Sequence, residues 1–186
     1  EEALRLDPTN GMLANNLAAK LGDASTRRLI NDTWSAADLR CAFLGLGTGC
    51  STPPDVSAVN AHFTHYAALS AGGFNKVNGL DFTDLLTTGD VARAPGALFR
   101  RLVFSMGCHA GLNVPDRAAE RGDSGLGINP ALDFVQAMAQ QRAIYVASTG
   151  FGLGDDEGIG GTERLLGIYA KELVKGGVVT AGGALV

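Results

Sequence analysis

Three short apolar segments constrain the fold of this chain more than any other feature of its sequence. They read VSAVNAHF (56–63), RLVFSMG (101–107) and AIYVAST (143–149). Their nearly continuous apolar character is typical of strands buried on both faces of a parallel sheet. Longer connections, one of them with a helical pattern, separate the segments, so we predict an open α/β sheet with right-handed crossovers. We expect the first strand to end near Asn60–His62.

Residues that typically begin helices stand around these strands. Serine, threonine and asparagine accept hydrogen bonds from the free N–H groups of a first helical turn, and proline is tolerated there. The first predicted helix is capped by Ser35 and starts at Ala36, with Leu39 and Phe43 on one face, and a short second helix is predicted around 81–86. A third helix is capped by Asn129 and starts at Pro130. The last helix is capped by Thr162, and its apolar residues Leu165, Tyr169 and Leu173 are spaced by four.

Length and composition are those of one globular domain. The chain has 186 residues, 46% of them hydrophobic, and a net charge of −4 without a run of lysine or arginine. We therefore predict a single domain over 1–186, with an N-terminal helical segment (1–25) and a core (26–186). The charge offers no footprint for nucleic acid, and no apolar run is long enough to span a membrane. The opening residues lack the pattern of a signal peptide.

The three cysteines favour neither a disulfide framework nor a metal site. An odd, low number argues against paired bridges, and the paired Cys/His spacing of zinc sites is missing. We therefore expect no metal and no cofactor. Cys41 lies on an amphipathic helix and is interpreted as a small buried hydrophobic residue.

Cys108 stands at the carboxyl end of the second predicted strand, where open α/β sheets form their sites. Flanking glycines suit a sharp turn there, so the thiol is a nucleophile, a buried filler or a redox group. The adjacent His109 is a poor partner, because neighbouring side chains of an extended segment point to opposite faces. His62, at the end of the neighbouring strand, is the candidate base, and His65 is the alternative.

The segments RLVFSMGCHAGLNVPD and DFVQAMAQQRAIYVASTGFGLGDDEGIGGTERLLGIYAKEL resemble the catalytic domain of gingipain-type cysteine peptidases, within the caspase-like group. LINDTWSAADL resembles the segment before the histidine strand, so the resemblance covers roughly 26–186. It implies a caspase-like three-layer sandwich with a mostly parallel central sheet. It also implies a fragment truncated at both ends, part of a larger polypeptide, and an extracellular or cell-surface location.

The same resemblance implies a cysteine endopeptidase that acts on peptide or protein substrates through a thioester. Cys108 would be the nucleophile and His62 the base. The backbone N–H groups of Cys108 and Phe63 would bind the oxyanion, although the family commonly has glycine where Phe63 stands. Phe151, Asp155 and Asp156 would contact substrate, the two acids favouring arginine or lysine at P1.

Asp155 and Asp156 also suit a solvated loop before a helix, where acidic side chains interact favourably with the helix dipole.

Two other functional interpretations of the chain stay open. A catalytically inactive caspase-like domain, serving as a binding or structural module of a larger protein, is the alternative function. Residues 1–10 resemble the junction between tetratricopeptide repeats, which suggests a helical-repeat adaptor as a third interpretation.

Overall fold

A three-stranded parallel sheet forms the centre of the protein. The computed structural model describes residues 33–74, 81, 83–114, 132–152 and 161–173, together with 29, 175 and 183. The sheet contains the strands β1 (Val56–Ala58), β5 (Leu102–Ser105) and β6 (Ile144–Ala147), with β5 between the other two. Val56 pairs with Leu102, and Leu102 pairs with Ile144. The predicted α/β class and the parallel order of the three apolar segments are confirmed.

A second, antiparallel sheet follows β1 directly. It contains β2 (His62–Phe63), β3 (Ala67–Leu69) and β4 (Leu85–Thr87). The first predicted strand is therefore divided: 56–58 pairs in the parallel sheet, and 62–63 pairs with β3. The expectation that one strand runs on to Asn60–His62 is wrong, because the chain leaves β5 and turns back as a hairpin.

Five helices connect and cover the strands in the described part of the chain. They are α1 (Ala36–Leu39), which continues as a π-helical turn (Arg40–Leu44), α2 (Ala71–Phe74), α3 (Thr88–Ala92), α4 (Phe134–Gln140) and α5 (Gly161–Leu173). Ser35 caps α1 as predicted, and it forms a capping box with Asp38. The predicted N-terminal helical segment lies outside the described residues.

Three helix predictions need correction. The short helix expected around 81–86 is wrong, because 85–87 form β4 and a capping box between Thr87 and Asp90 starts α3 only afterwards. The helix expected from Pro130 begins at Phe134, capped by Asp133, while Asn129 and Pro130 lie outside the described residues. The last helix begins at Gly161, one residue before its predicted cap.

Helices pack on both faces of the parallel sheet. On one face Val103 joins a core with Phe43, Phe134 and Met138, all at most 3% exposed. On the other face Phe104 contacts Tyr169 of α5, their ring centroids 5.2 Å apart. Burial of each large apolar side chain stabilises the fold by roughly 1.5–3 kcal/mol. β5 has a core on each side, which explains why Leu102, Val103 and Phe104 are all apolar and all buried.

Cys41 and Cys50 form a disulfide, which contradicts two predictions. The bridge joins the π-helical turn to the loop before β1, with Cα atoms 5.1 Å apart. Cys41 is therefore not a free buried filler, and the odd cysteine count was a poor guide. Cys108 is the free cysteine. A disulfide of this kind limits the freedom of the unfolded chain and so stabilises the folded state.

Among the residues that the structure describes, no helix combines the length and the apolar composition needed to cross a lipid bilayer.

Candidate functional site

Cys108 lies on a tight turn that follows the central strand. β5 ends at Ser105, and the turn over 107–111 is bound to both neighbouring segments. On the β1 side, the Met106 N–H donates to Oδ1 of Asn60 over 3.1 Å. On the β6 side, the N–H groups of His109 and Gly111 each donate over 2.8 Å, to Gly150 O and Ser148 O respectively. The carboxyl ends of all three parallel strands therefore hold this turn.

Two glycines let three chain segments meet at the turn. A β-carbon at Gly107 would overlap the ring of Phe63 and lie 2.9 Å from the carbonyl oxygen of Ala61. A β-carbon at Gly152 would overlap the carbonyl of Met106. The turn before Cys108 is thus in direct contact with the start of the β2–β3 hairpin and with the loop after β6.

The Cys108 sulfur is half-buried and faces the loop after β6. The N–H of Gly152 donates to Sγ over 3.3 Å, and the carbonyl oxygen of Gly152 lies 3.8 Å from Sγ. The N–H of Cys108 itself donates no hydrogen bond within the described residues. The contacts with Gly152 therefore fix the orientation of the thiol, and the N–H of Cys108 is a backbone donor with no acceptor among the described residues.

His109 is committed to the loop after β6 and not to Cys108. It adopts a left-handed backbone with φ of 59°, and its Nδ1 lies 3.2 Å from the carbonyl oxygen of Thr149. Its ring packs edge-on against Phe151, with centroids 4.6 Å apart. Phe151 is 73% exposed, so this aromatic pair forms an apolar surface at the rim of the turn.

The β2–β3 hairpin carries both histidines that were predicted as bases. His62 lies in β2 opposite Leu69, and His65 lies in the turn between the two strands. The Phe63 ring points into the core, 5.2 Å from the ring of Phe134, so the His62 side chain leaves β2 on the other face.

The N–H of Phe63 is not used by this hairpin. Thr64 N–H donates to Ala67 O, so Phe63 and Ala68 form the next, non-hydrogen-bonded pair of the antiparallel ladder. In such a pair the N–H points away from the partner strand. Two backbone donors, those of Phe63 and Cys108, therefore stay unengaged within the described residues.

His65 lies against the N-terminus of α4. Its carbonyl oxygen accepts the Phe134 N–H over 2.8 Å, and its ring packs against Tyr66 at 4.7 Å. Burial lowers the pKa of His65, the charge of His109 lowers it further, and the carboxylate of Asp133 acts in the opposite direction. The hairpin tip is therefore electrostatically coupled to both the turn and α4.

Asp133 is the residue of this region that the sequence interpretation missed. Its side chain is completely buried, and it caps α4 by accepting the Gln136 N–H over 2.7 Å. Its other oxygen accepts the Val114 N–H over 2.8 Å. Burial, then the Asp133 charge, raise the pKa of Tyr145 in β6. The signal available in the sequence was the Asp-x-x-Gln capping box, which is a better helix start than Asn129-Pro130.

The structure brings most of the predicted site residues to the carboxyl edge of the parallel sheet. Cys108, Phe63, His62, His65 and Phe151 all lie in segments that leave this edge. The predicted substrate-binding acids Asp155 and Asp156 lie outside the described residues. Among the residues described, no group of three or more His, Cys, Asp or Glu side chains could hold a metal ion.

Comparison of the chain with protein-family models, with curated proteins and with solved structures gave no match. Its function is therefore inferred from its own residues and their arrangement.

Proposed function

We propose that this protein is a cysteine peptidase of the caspase-like type, with Cys108 as nucleophile and His62 as base. The observation that carries the proposal is the position of the free thiol. Cys108 lies half-buried on the turn that directly follows the central strand β5. The segment that carries His62 reaches the same turn through the contact of Phe63 with Gly107, while the His62 side chain leaves β2 on the face opposite to Phe63. Sites of open α/β sheets form at this edge.

The reaction proceeds by acyl transfer through a thioester. His62 accepts the thiol proton, and Sγ bonds to the peptide carbonyl carbon while the carbonyl π electrons move to oxygen. The proton on His62 then passes to the amide nitrogen as the C–N bond breaks, which releases the amine. Water, deprotonated by His62, attacks the thioester carbon. The C–S bond breaks, the acid leaves, and the sulfur regains its proton from His62.

Two backbone donors support the oxyanion step. The N–H groups of Cys108 and Phe63 donate no hydrogen bond among the described residues, and their segments meet at Gly107. Donors that need no reorganisation stabilise a developing oxyanion, and the loss of one such donor typically costs about 2.7–4 kcal/mol of transition-state stabilisation. Phenylalanine in place of the family's usual glycine keeps this donor, because its ring turns into the core.

The exposed Phe151 ring supports contact with an extended substrate beside Cys108. It is 73% exposed and is held by His109 rather than by the core. The proposal includes a preference for arginine or lysine at P1, because the carboxylates of Asp155 and Asp156 would pair with a basic side chain.

The test is peptide hydrolysis together with selective alkylation. Fluorogenic peptides with arginine, lysine, leucine or phenylalanine at P1 are assayed with the wild type, Cys108→Ala, His62→Ala and His65→Ala. We expect Cys108→Ala and His62→Ala to lose at least about 10²-fold in kcat/KM, while His65→Ala retains activity. Iodoacetamide without reductant should label one thiol per chain. Full activity of Cys108→Ala would refute the proposal, and loss with His65→Ala alone would transfer the base to His65.

One observation favours the second candidate function, an inactive domain that serves as a binding module. The Cys108 sulfur already contacts Gly152: it accepts the Gly152 N–H over 3.3 Å and lies 3.8 Å from the Gly152 carbonyl oxygen. If Cys108 is alkylated while the folded wild type cleaves none of the peptides, the result supports this second function.

A further inference from the structure

Asp133 is a completely buried carboxylate between the two halves of the proposed site. One oxygen accepts the Gln136 N–H and the other accepts the Val114 N–H, over 2.7 and 2.8 Å. The first bond is the ordinary cap of α4. The second is not needed for the helix, because it binds a segment 19 residues earlier in the chain, just beyond the Cys108 turn.

A second support of the same turn comes from β6. The Tyr145 hydroxyl donates to the carbonyl oxygen of Ala110, inside the turn over 107–111, at 2.9 Å. Burial first, and the Asp133 charge second, raise the pKa of this phenol, which is a hydrogen-bond donor at neutral pH in either case. Asp133 thus supports the Cys108 turn from its carboxyl side through Val114, and Tyr145 supports it from β6.

A third connection runs to the histidine hairpin. The residue after Asp133, Phe134, donates its N–H to the carbonyl oxygen of His65 and packs its ring on Phe63. The carboxylate also favours the protonated form of the His65 imidazole. The hairpin and the Cys108 turn therefore both rest on the first residues of α4.

We propose that Asp133 is a positioning residue, whose buried carboxylate holds the Cys108 turn and the β2–β3 hairpin in their relative places at the N-terminus of α4. It acts through the backbone N–H of Val114 and through the bond between the Phe134 N–H and the His65 carbonyl oxygen at the start of α4. A charged hydrogen-bond acceptor suits this task, because bonds to an ionised group are roughly twice as strong as neutral ones. The consequence for turnover rests on the proposed function, but the structural role does not.

The test compares two variants that keep a helix cap with a control elsewhere. Asp133→Asn and Asp133→Ser both retain a favourable N-cap and lose the charge and the acceptor for Val114. The matched control is Asp90→Asn. Asp90 is likewise buried, at 2% exposed, and belongs to the capping box of α3.

The readouts are amide hydrogen exchange of Val114 and Gly111, the pKa of His65 by NMR, and kcat/KM. We expect both Asp133 variants to speed exchange of these two amides by about 10–100-fold and to lower the pKa of His65 further. Asp90→Asn should change neither. In an active enzyme, kcat should fall with little change in KM.

The outcomes separate this inference from the proposed function. If the wild type cleaves nothing, the peptidase proposal fails, and the exchange and titration results alone decide the role of Asp133. If Asp133→Asn and Asp133→Ser leave exchange and the His65 pKa at wild-type values, or move them no more than Asp90→Asn does, the positioning role is refuted.

Discussion

The most direct test of the site's packing is an alanine at Gly107. The added β-carbon would overlap the Phe63 ring and lie 2.9 Å from the carbonyl oxygen of Ala61. The backbone angle of Gly107 is not in the left-handed region, so the cost is steric rather than conformational. Overpacking of a well-filled site costs about 1–3 kcal/mol. Replacing glycine also restricts the unfolded chain, which offsets about 0.4–1 kcal/mol.

The net expectation for Gly107→Ala is a loss on the order of 1–2 kcal/mol in the free energy of unfolding. Gly150→Ala is the matched control, because nothing lies within 4 Å of a β-carbon at that position. Urea unfolding of both variants measures the difference, and the rate of Cys108 alkylation reports whether the turn has moved. Equal stability of the two variants would show that the Gly107–Phe63 contact does not hold the turn as described.

Three further predictions concern the disulfide, a histidine and an exposed ring. In the variant Cys41→Ala/Cys50→Ala the unfolded chain is no longer constrained by a bridge across a sequence separation of nine residues. The free energy of unfolding, measured by calorimetry or urea unfolding, should therefore fall by about 2.6 kcal/mol. An unchanged midpoint would contradict this prediction. Burial lowers the pKa of His65, the Asp133 charge raises it, and the His109 charge lowers it, with a net lowering. The ring of Tyr66 packs on the His65 ring. The unfolded chain therefore binds more protons below about pH 6.5, and stability should fall as the pH drops below that value. His65→Gln should reduce the slope of stability against pH, and an identical slope would contradict the assignment. Phe151→Ala should leave stability within about 0.5 kcal/mol, since the ring is exposed, but should raise KM for peptide substrates; an unchanged KM removes Phe151 from the substrate surface.

The central strands were predictable because their burial is a property of consecutive residues. β5 and β6 lie within the apolar segments that predicted them, and Ser35 starts α1 at the expected residue. A strand covered on both faces is apolar at most of its positions, and a cap acts on the N–H groups two or three residues ahead. Both signals are local, so they survive without knowledge of the rest of the fold.

The errors arose where distant contacts chose between local options. The residues 85–87 carry a pattern that also suits a helix, and pairing with β3 makes them a strand. The disulfide depends on Cys41 and Cys50 being brought to a Cα separation of 5.1 Å, which a count of cysteines does not contain. The first apolar segment crosses from one sheet to another at a point that only the hairpin defines.

The candidate site divides in the same way. The sequence by itself singled out Cys108, with glycines around it at the end of a buried strand, and the two histidines that follow the first strand. The tertiary structure alone decided that His109 belongs to the Phe151 loop, that Phe63 turns its ring inward and leaves its N–H free of the hairpin, and that Asp133 underlies both halves. These roles arise from segments that are 19 to 71 residues apart along the chain, and the packing that brings them together has no local signature.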